Sequence, residues 1–401
     1  MKHNGNAELH SIGARGRALI LDDHSYTAVQ ACRQLAKRGY VVEAFAKRSA
    51  PVFASRYCQR KYASDSDDRE STGLLESLAE DGSYDVIYLC SEHLLSQVAQ
   101  SIQHTAPWRG LLLSSPPVLR TLLSKNSVMR LVAEAGIPVP KTTFPATESE
   151  LGALAAKLEF PLVVKGEGGE SSRTIRIIRN RSELPAKYRA VMDQGNELDS
   201  KPCLQEFISG PTFSVGGLFQ DGRAVRICAG RMALMEPYKA GLMVKGVTER
   251  PPELIANALR VFEVLRYTGF GDADFVLDPR DGHFKFLEIN PEVWANIVLA
   301  EHAGVDFHGP YGALAHGESV PADLTFREGV SFYRVTKRLL STIKRPWLGM
   351  SFARDFLDAS VYSDWDWTDL QPDIHLLINS ARRRSRVLGR NLAEKTLPSH
   401  P

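Results

Sequence analysis

The chain has 401 residues, 43% of them hydrophobic and 24% charged, which is ordinary for a globular protein and enough for two or three domains. Its net charge of +2 neither requires nor excludes a polyanionic partner. Five scattered cysteines, with no Cys-x-x-Cys pair, argue against zinc and disulfide frameworks. No apolar run reaches the roughly 18 residues of a membrane helix. We therefore expect a cytoplasmic protein without a membrane span.

The first part of the chain alternates strands with helices. Residues 1–16 are polar, lack the apolar core of a signal peptide and are predicted to form a flexible arm. Strands are predicted at 17–22, 40–46 and 85–89, and helices at 26–38 and 72–79. This order predicts an α/β domain with a small parallel sheet. The turn Asp23-His24-Ser25 is not glycine-rich, which argues against a dinucleotide-binding domain.

Two stretches follow whose residues could contact phosphates. Pro116-Pro117 marks a boundary, after which Ser124 caps an amphipathic helix that begins with Lys125 and stops at Gly136. Further on, the strand FPLVVK ends at Lys165, and the loop GEGGESS precedes another strand. A glycine-rich loop can fold its N–H groups over phosphates, and a strand lysine can pair with them. No helix with Gly-Lys-Ser/Thr follows, so this is not a Walker motif.

The middle of the chain is rich in strands. The run CLQEFI, residues 203–208, predicts one strand, and residues 214–230 predict a hairpin about Asp221-Gly222. Arg231 and the loop MALMEPYKAGLMVKG come next, before a helix at 253–267. The segment Ser55-Arg56-Tyr57 nearer the start is consistent with either a surface loop or a substrate contact.

Residues 270–296, GFGDADFVLDPRDGHFKFLEINPEVWAN, predict two strands with acidic residues at their open end. A three-residue loop Arg280-Asp281-Gly282, with Gly282 left-handed, sets Asp274 opposite Glu288 and Asp272 opposite Asn290. Opposed residues share a face, whereas a four-residue loop would put Asp274 and Glu288 on opposite faces. Two carboxylates about 4 Å apart repel by roughly 4 kcal/mol at an effective dielectric of 20. Mg²⁺ would remove that repulsion; a solvated acidic edge is the alternative.

The motif DADF followed by LEINPEVWAN resembles the metal-binding strands of the ATP-grasp superfamily, in the branch similar to carbamoyl-phosphate synthase. With the upstream motifs, the resemblance covers roughly residues 17–316. It implies an α/β ATP-grasp fold with two lobes that clasp ATP. The implied domains are a pre-ATP-grasp domain at 17–120, an ATP-grasp domain at 121–320 with lobes 121–207 and 208–320, and a C-terminal extension at 321–401 with a basic tail.

The resemblance also implies an ADP-forming carboxylate–amine ligase that uses ATP and Mg²⁺, with Mn²⁺ as a substitute. Its substrates would be a small carboxylate and an amine, and the default assembly is a homodimer. The basic run ARRRSRVLGR near the end has no aromatic interleaving, so we expect no nucleic acid partner. The implied metal ligands are Asp274, Glu288 and Asn290. The implied nucleotide contacts are Lys125, Lys165, Gly168, Gly169, Glu206, Phe207, Ile208 and Thr212. The implied catalytic residues are Lys125, Arg231 and Glu292.

Three of these positions depart from the family or lie beside a departure. Thr212 stands where an acidic ribose ligand is common, and Ala240 replaces one of two adjacent glycines in the loop after Arg231, where Glu236 and Gly241 match. Glu292 stands where many members carry arginine. Another cation such as Arg231 could substitute, or Glu292 could face a cationic amine, or catalysis could be lost. A nucleotide sensor or scaffold and a ligase using bicarbonate or ammonia are therefore the competing hypotheses.

Overall fold

The computed structural model describes residues 16–64, 69–101, 108–166, 175–193, 201–236 and 242–380. Its first domain has the predicted parallel sheet, in the order β3-β2-β1-β4, with apolar runs such as Ala18–Leu21 buried because helices cover them. Sequence patterning missed β3, whose residues are mostly polar. The elements are β1 (Gly16–Leu21), α1 (Thr27–Lys37), β2 (Tyr40–Lys47), β3 (Cys58–Ser64), α2 (Arg69–Glu80), β4 (Val86–Leu89) and α3 (Glu92–Ser101).

A second, small lobe has a four-stranded antiparallel sheet in the order β5-β8-β6-β7. Pro116 and Pro117 begin α4 at its first turn, where proline is tolerated because those N–H groups have no helical partner. Ser124 caps α5 by accepting a hydrogen bond from the Ser127 amide at 3.1 Å, as predicted. The elements are α4 (Pro116–Leu122), α5 (Lys125–Glu134), β5 (Thr142–Thr143), α6 (Leu151–Ala155), β6 (Leu162–Lys165), β7 (Ile175–Ile178), α7 (Leu184–Met192) and β8 (Cys203–Glu206).

The large lobe is built on a seven-stranded sheet in the order β13-β12-β9-β10-β11-β14-β15. Its first five strands form antiparallel pairs, and helix α8 packs on one face through Val261 and Phe262. The predicted turn at Asp221-Gly222 joins β9 to β10, and both residues have positive φ. The elements are β9 (Thr212–Gln220), β10 (Arg223–Glu236), β11 (Leu242–Thr248), α8 (Pro252–Leu265), β12 (Gly269–Leu277), β13 (Phe284–Asn290), α9 (Ile297–His302) and α10 (His308–Ala315).

The C-terminal extension continues the large sheet instead of standing apart from it. Strand β14 pairs antiparallel with β11, and β15 pairs parallel with β14. Residues 371–380 form the last helix that the structure describes. No described helix is long and apolar enough to cross a membrane. The elements are β14 (Ser331–Tyr333), α11 (Val335–Lys344), α12 (Gly349–Leu357) and β15 (Val361–Ser363).

A buried ionic network fastens the extension to the first domain. The guanidinium of Arg33 is 2% exposed and lies 2.9 Å from carboxylate oxygens of both Asp369 and Asp373. Ser55 Oγ and the Arg56 amide each donate to Asp369 at 2.8 Å. The segment Ser55-Arg56-Tyr57 therefore holds the extension in place, a role that neither interpretation of its sequence included.

Candidate functional site

A large cleft of about 620 Å³ lies where the small lobe, the large lobe, the first domain and the extension meet. Most of the predicted site residues that the structure describes line this cleft. They are Lys125, Lys165, Glu206, Phe207, Ile208, Thr212, Asp274, Glu288, Asn290 and Glu292. Gly168 and Gly169 lie outside the described residues. The sequence motifs thus converge in three dimensions, although 167 residues separate Lys125 from Glu292.

The β12–β13 hairpin has the predicted register at its open end. Asp274 lies opposite Glu288, and Asp272 lies opposite Asn290, so all four side chains face the cleft. The predicted loop was wrong, because Asp278 and His283 close a four-residue turn and not a three-residue one. Such a turn alone would have put the two carboxylates on opposite faces.

A β-bulge restores the register. Phe275 lies opposite Phe286 while Asp274 lies opposite Glu288, so Leu287 is the extra residue of β13. The bulge shifts the strand by one residue, which compensates for the longer turn. Gly282 has the predicted positive φ of 77° in the turn. Arg280 of the turn reaches back to Glu206 at 3.0 Å and ties the hairpin to the small lobe.

The carboxylates on the acidic face of the hairpin are buried and repel one another when no cation lies between them. Burial, together with a smaller effect of the Glu288 carboxylate, raises the pKa of Asp272 to about 6, against hydrogen bonds from Ser214 and Asn290. Burial and the charges of Asp272 and Glu288 also raise the pKa of Asp274 well above its ordinary value. Among the described residues, no donor reaches Asp274 Oδ1. A cation would satisfy this oxygen and relieve the repulsion.

The described residues do not form a complete metal cage. No three of their His, Cys, Asp or Glu side chains converge closely enough to hold an ion by themselves. Asp274, Glu288 and the amide oxygen of Asn290 supply only part of a coordination sphere. This donor set fits Mg²⁺, which keeps several waters and takes substrate phosphates as its remaining ligands.

Two lysines supply positive charge to the cleft. Lys165 ends β6, and its Nζ donates to the carbonyl of the bulged Leu287 at 3.3 Å. Its charge opposes the rise in the pKa of Asp274, so the two groups are near one another. Lys125 is the first residue of α5, and its Nζ lies 3.8 Å from Glu92 of the first domain. Both lysines are placed to meet an anion in the cleft.

Several nucleotide contacts were implied for the connection between the lobes, residues 206–212. Some of their polar groups already have partners in the protein. Glu206 accepts from the Lys141 amide at 2.9 Å and is 8% exposed, so it supports this connection as well as bordering the cleft. The Phe207 amide donates to Pro161 O at 3.2 Å and is therefore already committed. The Ile208 amide has no such bond among the described residues, and Thr212 begins β9 at the cleft wall.

Arg231 is a correction to the sequence-based site. It lies outside the cleft wall and pairs with Glu249 at 2.8 Å. Successive residues of a strand point to opposite faces, and the next residue, Met232, faces the cleft. Glu236 is also directed elsewhere, to Lys344 and Arg345 of the extension at 2.9 and 3.0 Å. Arg231 and Glu236 are thus both paired with other residues and do not line the cleft as the structure has it.

The sequence missed two cations of the extension. Arg334 and Lys337 line the cleft, and so do Leu376, Asn379 and Ser380 of the last helix. The Arg334 side chain is 4% exposed, and its Nη1 has no hydrogen-bond acceptor among the described residues. Only the pairing of β14 with β11 carries these residues to the site. The sole sequence signal was the basic character of the segment after residue 331.

The sequence was compared with known families and curated proteins. Residues 124–322 match the family model described as the carbamoyl-phosphate synthase L chain, ATP binding domain. A biotin carboxylase of Pseudomonas aeruginosa is 25% identical over 215 residues, which cover 51% of this chain and 47% of that protein. The chain spans less than half the length of the curated relatives it matches.

Solved structures extend the likeness over most of the chain. N5-carboxyaminoimidazole synthetase of Staphylococcus aureus complexed with ADP superposes with a TM-score of 0.65 at 12% identity, covering 85% of this chain and 87% of that one. The biotin carboxylase domain dimer of Hydrogenobacter thermophilus 2-oxoglutarate carboxylase, with MgADP, ADP and bicarbonate, gives 0.63 at 15% identity, covering 78% and 73%. The predicted α/β ATP-grasp fold is confirmed.

Proposed function

We propose that this chain, which belongs to the ATP-grasp superfamily, is an ADP-forming ligase that activates a carboxylate and joins it to an amine. The observation that carries the proposal is the arrangement of Asp274 opposite Glu288 on one cleft face. Beside Glu288, the carbonyl of the bulged Leu287 accepts a hydrogen bond from Lys165. This arrangement combines a place for a divalent cation with a lysine for phosphates. Phosphoryl transfer requires mainly such positioning and charge neutralisation.

Asp274, Glu288 and Asn290 would hold Mg²⁺, or Mn²⁺ in its place. Bound there, the ion neutralises charge on the phosphate oxygens. The chain's own contribution is to hold two carboxylates and an amide in register, with the pKa of Asp274 raised by burial. Lys165 and Lys125 would pair with phosphate oxygens, and Ile208 and Thr212 would border the base and ribose. Gly168 and Gly169 remain predicted phosphate contacts of the loop.

In the proposed first step, a carboxylate oxygen of the substrate attacks the terminal phosphorus of ATP. The bond from that phosphorus to the bridging oxygen breaks, which yields an acyl phosphate and ADP. In the second step we assign to Glu292, which lines the same cleft, the binding of the cationic amine and the acceptance of one proton, which frees the nitrogen lone pair. The nitrogen then attacks the acyl carbon, the bond from that carbon to the phosphate oxygen breaks, and the departing phosphate takes the second proton of the nitrogen. Arg334 and Lys337 are the remaining cations that could steady the leaving phosphate.

A ligase that activates bicarbonate is the second candidate. It is favoured by one structural neighbour, whose structure contains bicarbonate together with MgADP. Glu292 speaks against it, because a carboxylate in the cleft opposes a small anion more than it opposes an organic amine. The wide cleft of about 620 Å³ also leaves room for a larger carboxylate.

An ADP-release screen tests the proposal. Purified protein with MgATP is offered pools of carboxylates, each with and without amines, and bicarbonate alone as a separate arm. ADP that forms only when a carboxylate and an amine are both present supports the ligase. ADP with bicarbonate alone would favour the second candidate. Nucleotide binding without turnover in any pool would overturn the enzyme assignment and favour a nucleotide sensor.

The cellular setting remains a proposal as well. All five cysteines are buried thiols, which suits the reducing cytoplasm. We expect small-molecule substrates and a homodimer, in keeping with the dimer named for one structural neighbour.

A further inference from the structure

Beyond the acidic hairpin, the cleft has an apolar surface whose purpose the ATP site does not explain. Met232, Met235, Met243 and Trp294 line it, and we refer to these four residues as the methionine floor. Met232 and Met235 belong to β10, and Met243 belongs to β11. Three of the seven methionines of the chain therefore meet in one part of one cleft. Met232 and Met235 are partly exposed, whereas Met243 and Trp294 are buried. Partly exposed apolar side chains in a cleft indicate ligand contact.

The strand pairing places the methionine side chains of the floor on one face of the sheet. Met235 lies directly opposite Met243, and Met232 lies opposite Gly246, so the side chains share one face of the sheet. A Cβ atom at Gly246 would lie 2.3 Å from Met243 Sδ, which means that the methionine lies across the glycine. A Cβ atom at Gly216 would lie 2.2 Å from Trp294 Cε2, so the indole does the same. Two glycines thus leave room for two large side chains to lie along the sheet.

The order of the strands gives the distance from the reacting end. From β12, which carries Asp272 and Asp274, the sheet continues through β9 to β10, β11 and β14. At about 4.8 Å between strands, the floor begins roughly 10 Å from the acidic strand. Arg334 follows β14, and its amide donates to Val244 O at 2.8 Å, one residue from Met243. The cleft therefore has an acidic end, an apolar middle and a cationic far end.

The extension holds the floor in position. Lys344 and Arg345 pair with Glu236 at the end of β10, and Lys245 of β11 lies 2.7 Å from the buried Asp355. These contacts fix both strands of the β10–β11 hairpin against α11 and α12. The methionine side chains themselves adapt to irregular shapes because they are unbranched and polarizable. A fixed backbone with adaptable side chains suits the recognition of apolar groups.

We infer that the carboxylate substrate has an apolar body that binds on the methionine floor, with its polar groups confined to its ends. This inference rests on the proposed ligase function. The carboxylate, and not the amine, is assigned to the floor because the proposed function assigns the cationic amine to Glu292 and the floor carries no charge. The floor lies on the same sheet as the acidic strand, beyond β9. Sugars and hydroxylated acids would leave hydroxyl groups unpaired there.

The experiment compares apolar with polar carboxylates. Leucine, phenylalanine and octanoate form one set, and serine, aspartate and gluconate form the other, each with MgATP and hydroxylamine as the amine. The variants are Met232→Gln and Met235→Gln at the two partly exposed methionines, which keep side-chain length but add a polar amide. Met232→Leu and Met235→Leu preserve the apolar character and should retain activity. Met350→Gln is the control, because Met350 is 87% exposed on α12 and does not line the cleft.

We expect ADP formation by the unaltered protein to favour the apolar set. Each glutamine variant should lower kcat/KM for that set at least tenfold, while the dissociation constant for MgATP stays unchanged. The leucine variants and Met350→Gln should resemble the unaltered protein. Preference for the polar set, or glutamine variants that turn over apolar substrates normally, would overturn the inference.

A calorimetric titration separates this inference from the ligase proposal. If no substrate yields ADP, octanoate and phenylalanine are titrated into the protein with MgADP present. Binding that the glutamine variants lose supports the floor even though the ligase proposal fails. No binding of either apolar probe to the unaltered protein counts against the floor. Turnover of polar substrates alone would support the ligase proposal and contradict the binding of an apolar substrate on the methionine floor.

Discussion

Lys165 and Leu287 are joined across the cleft, the ammonium of one donating to the carbonyl of the other at 3.3 Å. Leu287 is also the residue that the β-bulge inserts between the paired positions of Asp274 and Phe275. The same irregularity thus aligns the two acidic side chains and presents a carbonyl to the lysine. Bulges are frequent near functional sites because they redirect side chains in this way.

Deletion of Leu287 tests the bulge directly. Without the extra residue, β13 would pair regularly and Glu288 would still lie opposite Asp274, but Lys165 would lose the carbonyl acceptor of Leu287. We expect nucleotide-dependent Mn²⁺ binding, followed by electron paramagnetic resonance, to be retained, and the affinity for ATP to fall. Replacement by alanine is the control, because it keeps the backbone carbonyl and should retain both. Loss of Mn²⁺ binding in the deletion variant alone would show that the bulge itself is needed for the metal site.

Lys165→Ala should weaken binding of ATP more than binding of AMP, because the ammonium is placed to meet phosphates and not the base. A hydrogen bond to a charged group contributes about 1.5–3 kcal/mol, which corresponds to roughly ten- to a hundredfold in affinity. Calorimetry with both nucleotides measures the difference. Lys157→Ala is the matched control, since Lys157 is an exposed lysine of the same lobe that does not line the cleft. Equal losses of affinity for ATP and AMP would contradict the assignment of Lys165 to the phosphate site.

Glu292→Gln should raise the Michaelis constant for the amine and leave the affinity for MgATP unchanged. The substitution keeps the shape of the side chain but removes the charge that faces a cationic substrate. Steady-state kinetics with the amine varied, combined with nucleotide titration, separates the two effects. A weaker affinity for MgATP with an unchanged Michaelis constant for the amine would place Glu292 in the nucleotide site. Glu292→Arg should abolish use of the amine.

The hairpin register was predictable because strand side chains alternate and polar residues stood two apart on each strand, Asp272 and Asp274 on β12 and Glu288 and Asn290 on β13. The sequence could not reveal that the turn has four residues. A four-residue turn with a bulge at Leu287 gives the same pairing of Asp274 with Glu288 as a three-residue turn without one. The face of Arg231 was also undetermined. Its orientation follows from which neighbour, Met232, points to the cleft, and two irregularities in the β10–β11 pairing obscure that alternation.

Contributions from distant parts of the chain were beyond sequence reasoning. Arg334 reaches the cleft only because β14 joins the large sheet, a pairing of three residues in each strand. The partner of Arg33 lies 336 residues away at Asp369, so no local pattern connects them. Phe207 fitted its motif, but its amide is taken by Pro161 O, which depends on how the two lobes are joined. Motifs located the site, whereas tertiary contacts decided which of its groups are available.

The metal-depleted protein should become less stable as the pH rises from about 4 to above 6. The pKa of Asp272 is raised to about 6 in the folded state, above the ordinary value that it has when unfolded. The folded state therefore binds more protons in that range, and the free energy of unfolding falls with pH. Buried Asp364, also raised to about 6, contributes with the same sign. Asp272→Asn should flatten part of the slope in urea titrations, and an unaltered slope would contradict the assignment.

Glu288→Gln is the most decisive substitution for the whole site. It preserves the shape of the side chain opposite Asp274 but removes one of the charges that a cation would need. Turnover that depends on Mg²⁺ should fall at least a hundredfold, while the melting temperature of the metal-free protein stays level or rises slightly, because repulsion with Asp272 and Asp274 is relieved. Phosphate or ADP release and a thermal melt in chelator measure the two quantities. Glu253→Gln serves as the control, since Glu253 lies at the far end of the hairpin beside His283. A Glu288→Gln protein with undiminished Mg²⁺-dependent turnover would refute the metal assignment, and the proposed phosphoryl transfer would then need another site.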